Sequence, residues 1–476
     1  MYAILSAYLR DPISEQGLSK KVYIESYGCQ MNHSDSEIVA SILAKEGYET
    51  SATPDGADLV LLNTCSIREK AEYTVMQRIN EMKHYKQINP EMKVGVLGCM
   101  AERMREDLLK QKKIVDLVVG PDAYRSLPSL LDEVDGGQRA VNVLLSREET
   151  YGEIEPVRLD SNGVTAFVTI MRGCDNMCAF CVVPFTRGRE RSRDPQSIVN
   201  ECRDLVSKGF KEVTLLGQNV DSYKFTSSPT PSPEEKGLSK VDFADLLAMV
   251  ATISPALRVR YSTSHPKDMS DKVLEVMAAH PNICNYVHLP VQSGSTTVLK
   301  RMNRGYTREW YLDRIAAIRR LMPNAAISTD IITGFCGETE EEHQETLSLL
   351  KEVRFDMAYM FKYSERPKTL AARKYPDDVL EEVKGRRLQE VIDTVTRTSS
   401  DGNKRFIGSE QTVLIEGVSK RSADNMFGRS DRYTTVIVPK VFGNSLVAAG
   451  DYVRVHVSSA TASSLQGEVV AIMQNG

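Results

Sequence analysis

The sequence has no apolar run long enough to cross a bilayer, so a membrane-spanning protein is not expected. Its first residues, MYAILSAYLR, lack the basic start and the small-residue cleavage site of a secretory signal peptide. Charge of one sign is not in excess either. The formal net charge of -4 argues against a wholly basic nucleic-acid coat protein but allows a local basic patch. We therefore expect a cytoplasmic protein with no membrane partner.

Cysteine is scarce and odd in number, with nine among 476 residues, which does not suit a disulfide scaffold. Clustered cysteines in a reducing compartment more often bind metal or take part in catalysis. Six of the nine have notable positions. We expect the other three, Cys202, Cys284 and Cys336, to be small apolar fillers of the core.

The pattern of apolar runs divides this α/β chain into several regions. Residues 21–147 alternate strand-like runs with helical patterns, which predicts an open parallel-sheet α/β domain. Residues 163–400 contain six strand–helix units and a charged connecting helix, which predicts a partial (β/α)6 barrel. Short strand-like runs over 403–476 predict a small antiparallel β-barrel. Residues 1–20 are interpreted as an N-terminal extension and 148–162 as a linker, and the Pro/Ser-rich KFTSSPTPSPEEKGLSK as a mobile surface insertion.

One short loop carries three cysteines just after the first strand of the predicted barrel. Cys174, Cys178 and Cys181 have the spacing CxxxCxxC and lie at the face where such barrels place their active sites. Three thiolates can hold three corners of a four-iron cluster and leave one iron without a protein ligand. A structural zinc site is the alternative, but no His or fourth Cys lies at the usual spacing. A ferredoxin-like electron carrier would need four cysteine ligands.

A second set of cysteines is separated along the sequence. Cys29, Cys65 and Cys99 lie 36 and 34 residues apart, and each directly follows a predicted strand, in YIESYGC, LVLLNTC and VGVLGC. Because the carboxyl ends of parallel strands share one edge of a sheet, the three thiols are expected to converge there. This arrangement predicts a second metal site with three protein ligands.

These motifs together resemble the radical S-adenosylmethionine methylthiotransferase family. Both cysteine sets, PFTRGRERSR, GQNV, HLPVQSGS and DIITGFCGET occur in the order seen in that family, and the C-terminal barrel is similar to its TRAM domain. The stretch NTCSIREKAE is similar to the branch that acts on tRNA carrying N6-isopentenyladenosine beside the anticodon. Branches for threonylcarbamoyl-adenosine tRNA and for a ribosomal-protein aspartate remain alternatives. The chain departs from the family at Cys336 and in SERPKTLAA, where proline and Pro–Gly are common.

The resemblance implies an enzyme that converts N6-isopentenyladenosine to its 2-methylthio derivative by sulfur insertion and methyl transfer, using two S-adenosylmethionine molecules. It implies two 4Fe-4S clusters with three cysteine ligands each. One would hold S-adenosylmethionine as the radical source, and the other would carry sulfide or a similar sulfur. The implied partners are the tRNA anticodon loop, an electron donor and a sulfur donor. A rival of another class is a non-catalytic iron–sulfur regulator that binds RNA.

The resemblance also implies roles for polar residues near the two sets, although a strand-end polar residue that caps a helix is the ordinary alternative. Arginines near the radical site are expected to neutralise RNA phosphates, although Arg189 or Arg193 could instead pair with Glu190 or bind the cofactor carboxylate. The C-terminal barrel is only mildly basic. The candidates are Gln218, Asn219, His265, Gln292, Ser293 and Asp330 for the cofactor, Gln30 and Asn32 for hydrogen bonds around the N-terminal cluster, and Arg187, Arg189, Arg191, Arg193, Arg301 and Arg304 for RNA.

Overall fold

The computed structural model describes residues 19–66, 69–159, 162–226 and 240–473. Most of the predicted N-terminal extension and nearly all of the predicted Pro/Ser-rich insertion lie outside these described residues. Within them, no helix is long and apolar enough to cross a membrane.

The N-terminal region is a parallel sheet with the strand order β2-β1-β3-β4-β5-β6 in the described residues. Alternate residues of the central strand β3 pack on opposite faces, with Leu59 and Leu61 in one apolar cluster and Val60 and Leu62 in the other. Helices therefore cover both faces, as an open α/β sheet requires. The strands are β1 (Lys20–Tyr27), β2 (Tyr48–Thr50), β3 (Leu59–Thr64), β4 (Lys93–Gly98), β5 (Leu117–Val119) and β6 (Ala140–Asn142), and the helices are α1 (Gln30–Ala44), α2 (Glu69–Ile88), α3 (Cys99–Met104), α4 (Glu106–Gln111) and α5 (Leu127–Asp135).

The register of this sheet aligns the three strand ends that precede cysteines. Tyr27 of β1 is paired with Thr64 of β3, and Thr64 is paired with Gly98 of β4. The three strands therefore end at the same height in the sheet, and the residues that follow them lie at one edge of it. One detail differs from the sequence-based expectation, because the short strand β2 was not predicted.

The central region contains two parallel three-stranded sheets joined into one curved wall, which confirms the fold class. Their orders are β7-β10-β13 and β14-β15-β16, and a parallel bridge from Val259 to Ile283 connects them. The strands are β7 (Thr165–Thr169), β8 (Met171–Arg172), β9 (Arg191–Ser192), β10 (Glu212–Leu216), β11 (Lys224–Phe225), β12 (Val241–Asp242), β13 (Arg258–Ser262), β14 (Tyr286–His288), β15 (Ala326–Thr333) and β16 (Met357–Lys362). The helices are α6 (Val183–Thr186), α7 (Pro195–Ser207), α8 (Phe243–Ala251), α9 (Asp271–Ala279), α10 (Thr296–Arg301), α11 (Arg308–Leu321), α12 (Glu340–Val353), α13 (Leu370–Lys374) and α14 (Glu381–Lys404).

The segment between the first two regions is packed against both of them. Arg158 donates hydrogen bonds to Glu37 of α1 at 2.8 Å and to Glu201 of α7 at 2.6 Å. Ser41 of α1 donates to the carbonyl oxygen of Glu155. The predicted linker therefore ties the N-terminal sheet to the central region through buried ion pairs.

The C-terminal region is a closed barrel with the order β17-β18-β19-β23-β22, which confirms the predicted small β-barrel. Its pairings are antiparallel except for β19 with β23, which is parallel. It contacts the central region directly, because Arg260 of β13 donates to the carbonyl oxygen of Ser430 at 2.7 Å. The strands are β17 (Glu410–Val418), β18 (Asn425–Ser430), β19 (Thr435–Pro439), β20 (Val441–Phe442), β21 (Ser445–Leu446), β22 (Tyr452–Ala460) and β23 (Ser464–Met473).

Candidate active site

The three N-terminal cysteines lie together at the edge of the sheet where β1, β3 and β4 end. Cys29 precedes α1, Cys65 follows β3, and Cys99 opens α3. Gly28 allows this approach: its φ is +115°, and a Cβ atom there would lie 2.3 Å from the Cβ of Cys65. The expected convergence of these residues is thus present, and all three line one cavity.

A buried guanidinium group makes the surroundings of these thiols positive. Arg187 donates to the side-chain oxygens of Asn32 at 3.1 Å and Asp35 at 2.8 Å, and the Cys29 thiol also donates to Asn32 at 3.3 Å. A hydrogen bond from Cys65, together with the charge of Arg187, lowers the pKa of Cys29 to about 6. A low-pKa thiol beside a cation favours the thiolate that metal binding needs.

The guanidinium of Arg187 belongs to a buried charge network between α1 and the central region. Arg172 donates to Asp35 at 2.8 Å, and Arg191 makes two hydrogen bonds to Asp122 at 2.8 and 3.0 Å. The charged groups are almost fully buried. Sequence reasoning missed this network. The only signal was an aspartate, Asp35, on a helix that is otherwise largely buried.

The CxxxCxxC loop runs between β8 and α6. The Cys178 sulfur accepts a hydrogen bond from Arg304 at 3.2 Å, and Nε2 of His265 lies 3.9 Å from it. The backbone N–H of Val183 donates to the Cys181 sulfur at 3.5 Å. Such donors stabilise negative charge on sulfur, as they do around the thiolates of an iron–sulfur cluster.

Burial opposes thiolate formation elsewhere in both sets. It raises the pKa of Cys174 and of Cys99, and it raises the pKa of Cys181 to about 12. Among the described residues, no three His, Cys, Asp or Glu side chains surround a point that could hold a single metal ion. A four-iron cluster bonds each thiolate to a different iron, so its ligands need not meet at one point. The donor set fits a polynuclear cluster better than a zinc ion.

The two sets of cysteines lie close to each other. Thr186, in the helix that follows the CxxxCxxC loop, forms a side-chain hydrogen bond with Cys99, and α3 packs against α6. Negative charge on Cys99 contributes to the raised pKa of Cys181. The helix that follows the CxxxCxxC loop therefore lies directly beside the N-terminal cysteines.

The N-terminal cysteines line a cavity of about 410 Å³ whose wall comes from all three regions of the chain. Val183 and Arg187, which follow the CxxxCxxC loop, also line it, whereas the three cysteines of that loop do not. Its lining combines cysteines, strand-end polar groups and aromatic rings. The lining residues include Cys29, Gln30, Cys65, Cys99, Arg187, Gln218, Arg260, Tyr286, His288, Asp330, Tyr359, Phe361 and Tyr433.

Two of the six expected cofactor residues line this cavity. Gln218 follows β10, and both polar atoms of its amide are buried without a hydrogen-bond partner. Asp330 lies 3.5 Å from Nε2 of His288. Of the two residues expected around the N-terminal cysteines, Gln30 lines the cavity and Asn32 contacts Cys29. A buried amide with no partner fits a site that binds a polar ligand.

The other four expected cofactor residues lie outside the lining of this cavity. Asn219 donates to Asp268 at 2.7 Å and accepts from the backbone of His265 at 3.1 Å. Burial, aided by the charge of Arg304, lowers the pKa of His265 to about 2, so its imidazole is neutral beside Cys178. Gln292 pairs with β15 through its backbone, and Ser293 contacts the hydroxyl of Thr346 at 3.2 Å.

Four of the six arginines expected to contact RNA require a correction, because they are buried. Arg187 and Arg191 belong to the charge network, Arg193 donates to Glu201 at 2.5 Å, and Arg304 contacts Cys178. A buried guanidinium that is already paired cannot neutralise a phosphate at the surface. These side chains join the domains and surround the cysteines.

The two remaining arginines are accessible. The Arg189 side chain is 74% exposed and lies 3.3 Å from Asp175, while Arg301 is partly exposed and pairs with Glu342 at 2.6 Å. The exposed pair of Arg189 contributes little to stability and leaves its guanidinium open to a phosphate, whereas the pair of Arg301 is partly buried. Phosphate binding therefore remains a prediction for Arg189 and Arg301.

The three cysteines outside both sets are buried, two of them in apolar clusters. Cys202 belongs to the large central core, and Cys336 packs in a smaller cluster with Phe335 and Tyr363. Cys284 is also buried. Their positions agree with a packing role.

The chain matches three family models. Residues 21–120 match the uncharacterized protein family UPF0004, residues 168–350 the radical SAM superfamily, and residues 404–470 the TRAM domain. The three matches fall on the N-terminal sheet, the central barrel and the C-terminal barrel.

The chain is also similar over nearly its whole length to curated proteins called tRNA-2-methylthio-N(6)-dimethylallyladenosine synthase. It is 56% identical over 462 residues to the protein of Christiangramia forsetii, which covers 96% of this chain and 95% of the relative. It is 52% identical over 452 residues to that of Bacteroides fragilis, which covers 95% and 96%.

Among solved structures, the chain resembles a radical S-adenosylmethionine methyltransferase, TsrM from Kitasatospora setae, whose structure holds cobalamin and a 4Fe-4S cluster. The TM-score is 0.53 with 15% sequence identity, and the match covers 74% of each chain. At that identity the likeness concerns the fold.

Proposed function

The chain belongs to the family of tRNA-2-methylthio-N(6)-dimethylallyladenosine synthases, and on this premise we propose how its residues perform that reaction. The protein is a radical SAM enzyme that adds a methylthio group to C2 of dimethylallyladenosine, also called isopentenyladenosine, in tRNA. The observation that carries the proposal is that Cys29, Cys65 and Cys99 line one cavity, while Thr186, in the helix that follows the CxxxCxxC loop, forms a hydrogen bond with Cys99.

We propose that each cysteine set holds one 4Fe-4S cluster. Cys174, Cys178 and Cys181 would hold the cluster that binds S-adenosylmethionine, and the N-terminal set would hold the cluster that carries sulfur. When bound, these groups supply the radical that removes hydrogen from C2, and the sulfur and methyl group that replace it.

The protein's own side chains bind and orient these groups. Arg304 donates a hydrogen bond that stabilises negative charge at Cys178, and the His265 imidazole beside it is neutral at pH 7. Arg187 likewise stabilises negative charge at Cys29. The amide of Gln218 offers a donor and an acceptor to the amino acid part of S-adenosylmethionine. Burial of both cysteine sets between packed domains keeps water away from a reactive radical.

The RNA partner in this proposal is the anticodon loop of tRNA. The target base must leave its stack to reach the cavity, and single-stranded loops permit this at low cost. The TRAM domain and the exposed Arg189 and Arg301 would position the loop. An electron donor, a sulfur donor and a cytoplasmic location complete the proposal.

The test is conversion of a defined RNA by the anaerobically reconstituted protein. An anticodon hairpin with dimethylallyladenosine is incubated with S-adenosylmethionine, a sulfur source and dithionite, and its nucleosides are separated by mass. We expect 2-methylthio-dimethylallyladenosine. Matched hairpins with adenosine or threonylcarbamoyl-adenosine should give no product. Absence of product from all three hairpins, with S-adenosylmethionine left intact, would favour a non-catalytic iron–sulfur regulator.

A further inference from the structure

Two aromatic side chains of the edge strand β16 line the cavity. Ala358 and Met360 pack against the central core, whereas Tyr359 and Phe361 alternate with them and line the cavity. Tyr359 is 39% exposed and Phe361 is 36% exposed. Two large rings at neighbouring positions of one strand face form an apolar surface within reach of a ligand.

Other rings extend this surface. The ring of His288 meets Tyr359 edge to face at a centroid distance of 5.7 Å. Tyr286 and Tyr433 also line the cavity, with ring centroids 4.9 Å apart. The same cavity holds Cys29 of the N-terminal set. A planar apolar group bound among these rings would share the cavity with the groups that react with it.

We propose that Tyr359 and Phe361 form the wall that holds the dimethylallyl-bearing adenine once it has left the RNA stack. This inference rests on the proposed function, and it assigns the part of the cavity that recognises the substrate. A flipped base needs a new stacking partner in place of its lost neighbours, and aromatic side chains supply one. The dimethylallyl group is an apolar branched chain, so it gains from the same contact.

The charges in the cavity disfavour the bulkier adenosine of the alternative branch. Asp330 places a carboxylate in the lining, and burial lowers the pKa of the neighbouring His288, which is neutral at pH 7. The cavity arginines Arg187 and Arg260 are each paired with a buried carboxylate. A threonylcarbamoyl group carries its own carboxylate, which Asp330 would repel. The carboxylate of Asp330 beside the aromatic wall therefore favours an uncharged N6 substituent.

The test compares two RNA hairpins that differ only at the target base. Binding to the reconstituted protein with S-adenosylmethionine is measured without reductant, so that no reaction occurs. The hairpins carry dimethylallyladenine or plain adenine. Wild-type protein should prefer the modified hairpin. Tyr359→Ala should weaken binding of both hairpins by about 5- to 150-fold, the factor that loss of one stacking partner gives, and should also reduce the preference, because the dimethylallyl group loses its contact with the ring.

Two matched variants serve as controls. Tyr359→Phe keeps the ring and should keep the preference. Tyr73→Ala removes a tyrosine that is 66% exposed on α2 and outside the cavity lining, and it should change nothing. Iron content and circular dichroism report whether each variant folds, and Tyr359→Leu replaces the alanine variant if that one does not.

Two results would overturn the inference. One is wild-type affinity for both hairpins in Tyr359→Ala, which would mean that the ring does not hold the base. The other is equal weakening of both hairpins, which would mean that the ring does not contact the dimethylallyl group. Failure of the proposed function would be seen in a separate measurement, in which the wild-type protein forms no methylthio product from the modified hairpin.

Discussion

Replacing Asp35 by asparagine tests the buried charge network that joins the N-terminal sheet to the barrel. Asp35 accepts hydrogen bonds from Arg172 and Arg187, each at 2.8 Å, and all three side chains are buried. Burial alone would raise the pKa of Asp35, but the two guanidinium groups outweigh it and hold that pKa below its usual range. The carboxylate is therefore charged in the folded protein.

The asparagine variant leaves two guanidinium groups without their shared counter-charge. Breaking a buried ion pair by removal of one partner costs about 3–5 kcal/mol. Arg172 still has the carboxylate of Asp122 at 3.7 Å as a second counter-charge. We therefore expect the free energy of unfolding to fall by an amount near the lower end of that range. The assay is urea-induced unfolding followed by circular dichroism at pH 7.

The matched control is Glu153→Gln, which breaks an exposed pair with Arg125. Exposed pairs contribute about 0–1 kcal/mol. The reasoning fails if Asp35→Asn changes the free energy of unfolding no more than this control does. Because the pKa of Asp35 is depressed, its contribution should be present at neutral pH and lost in acid, as pH falls through the folded-state value.

Three further predictions concern backbone fit, a buried acid and the RNA surface. Gly28→Ala places a Cβ against Cys65 and should lower the amount of bound iron after reconstitution. Gly47→Ala also places alanine at a positive φ, but its Cβ would meet no atom within 4 Å, so bound iron should not change. Burial raises the pKa of Asp221 to about 8, so this group alone should lower the free energy of unfolding by about 1.4 kcal/mol per pH unit between roughly pH 5 and 7, and Asp221→Asn should make the slope measured in urea titrations less steep by that amount. Arg189→Ala should weaken binding of modified and unmodified hairpins equally and reduce the salt slope by about one, and a loss confined to the modified hairpin would contradict a phosphate contact.

The sequence predicted the fold class because its hydrophobic periodicity is strong in all three regions. Runs such as LVLLNT and KVGVLG are short, mostly apolar and bounded by helices, which is typical of buried parallel strands. Convergence of Cys29, Cys65 and Cys99 followed from topology, since their strands end at one edge. The strand β2 was missed because its three residues, YET, carry no apolar periodicity.

The sequence could not reveal which charges are buried. The alternating arginines of RGRERSR look alike, yet Arg191 and Arg193 are buried and paired while Arg189 faces solvent. Their partners, Asp122 and Glu201, lie in other elements, so the pairing depends on tertiary structure. The aromatic wall was missed for the same reason, because only the folded barrel shows which face of β16 meets the cavity.

The central claim is that the chain holds two clusters, one on each cysteine set, and iron content after anaerobic reconstitution tests it most directly. We expect about eight irons in the parent protein and about four in a Cys29/Cys65/Cys99→Ala variant. Cys336→Ala removes a buried cysteine of neither set and should keep about eight. Unchanged iron in the triple variant, or equal loss in Cys336→Ala, would contradict the two-cluster account.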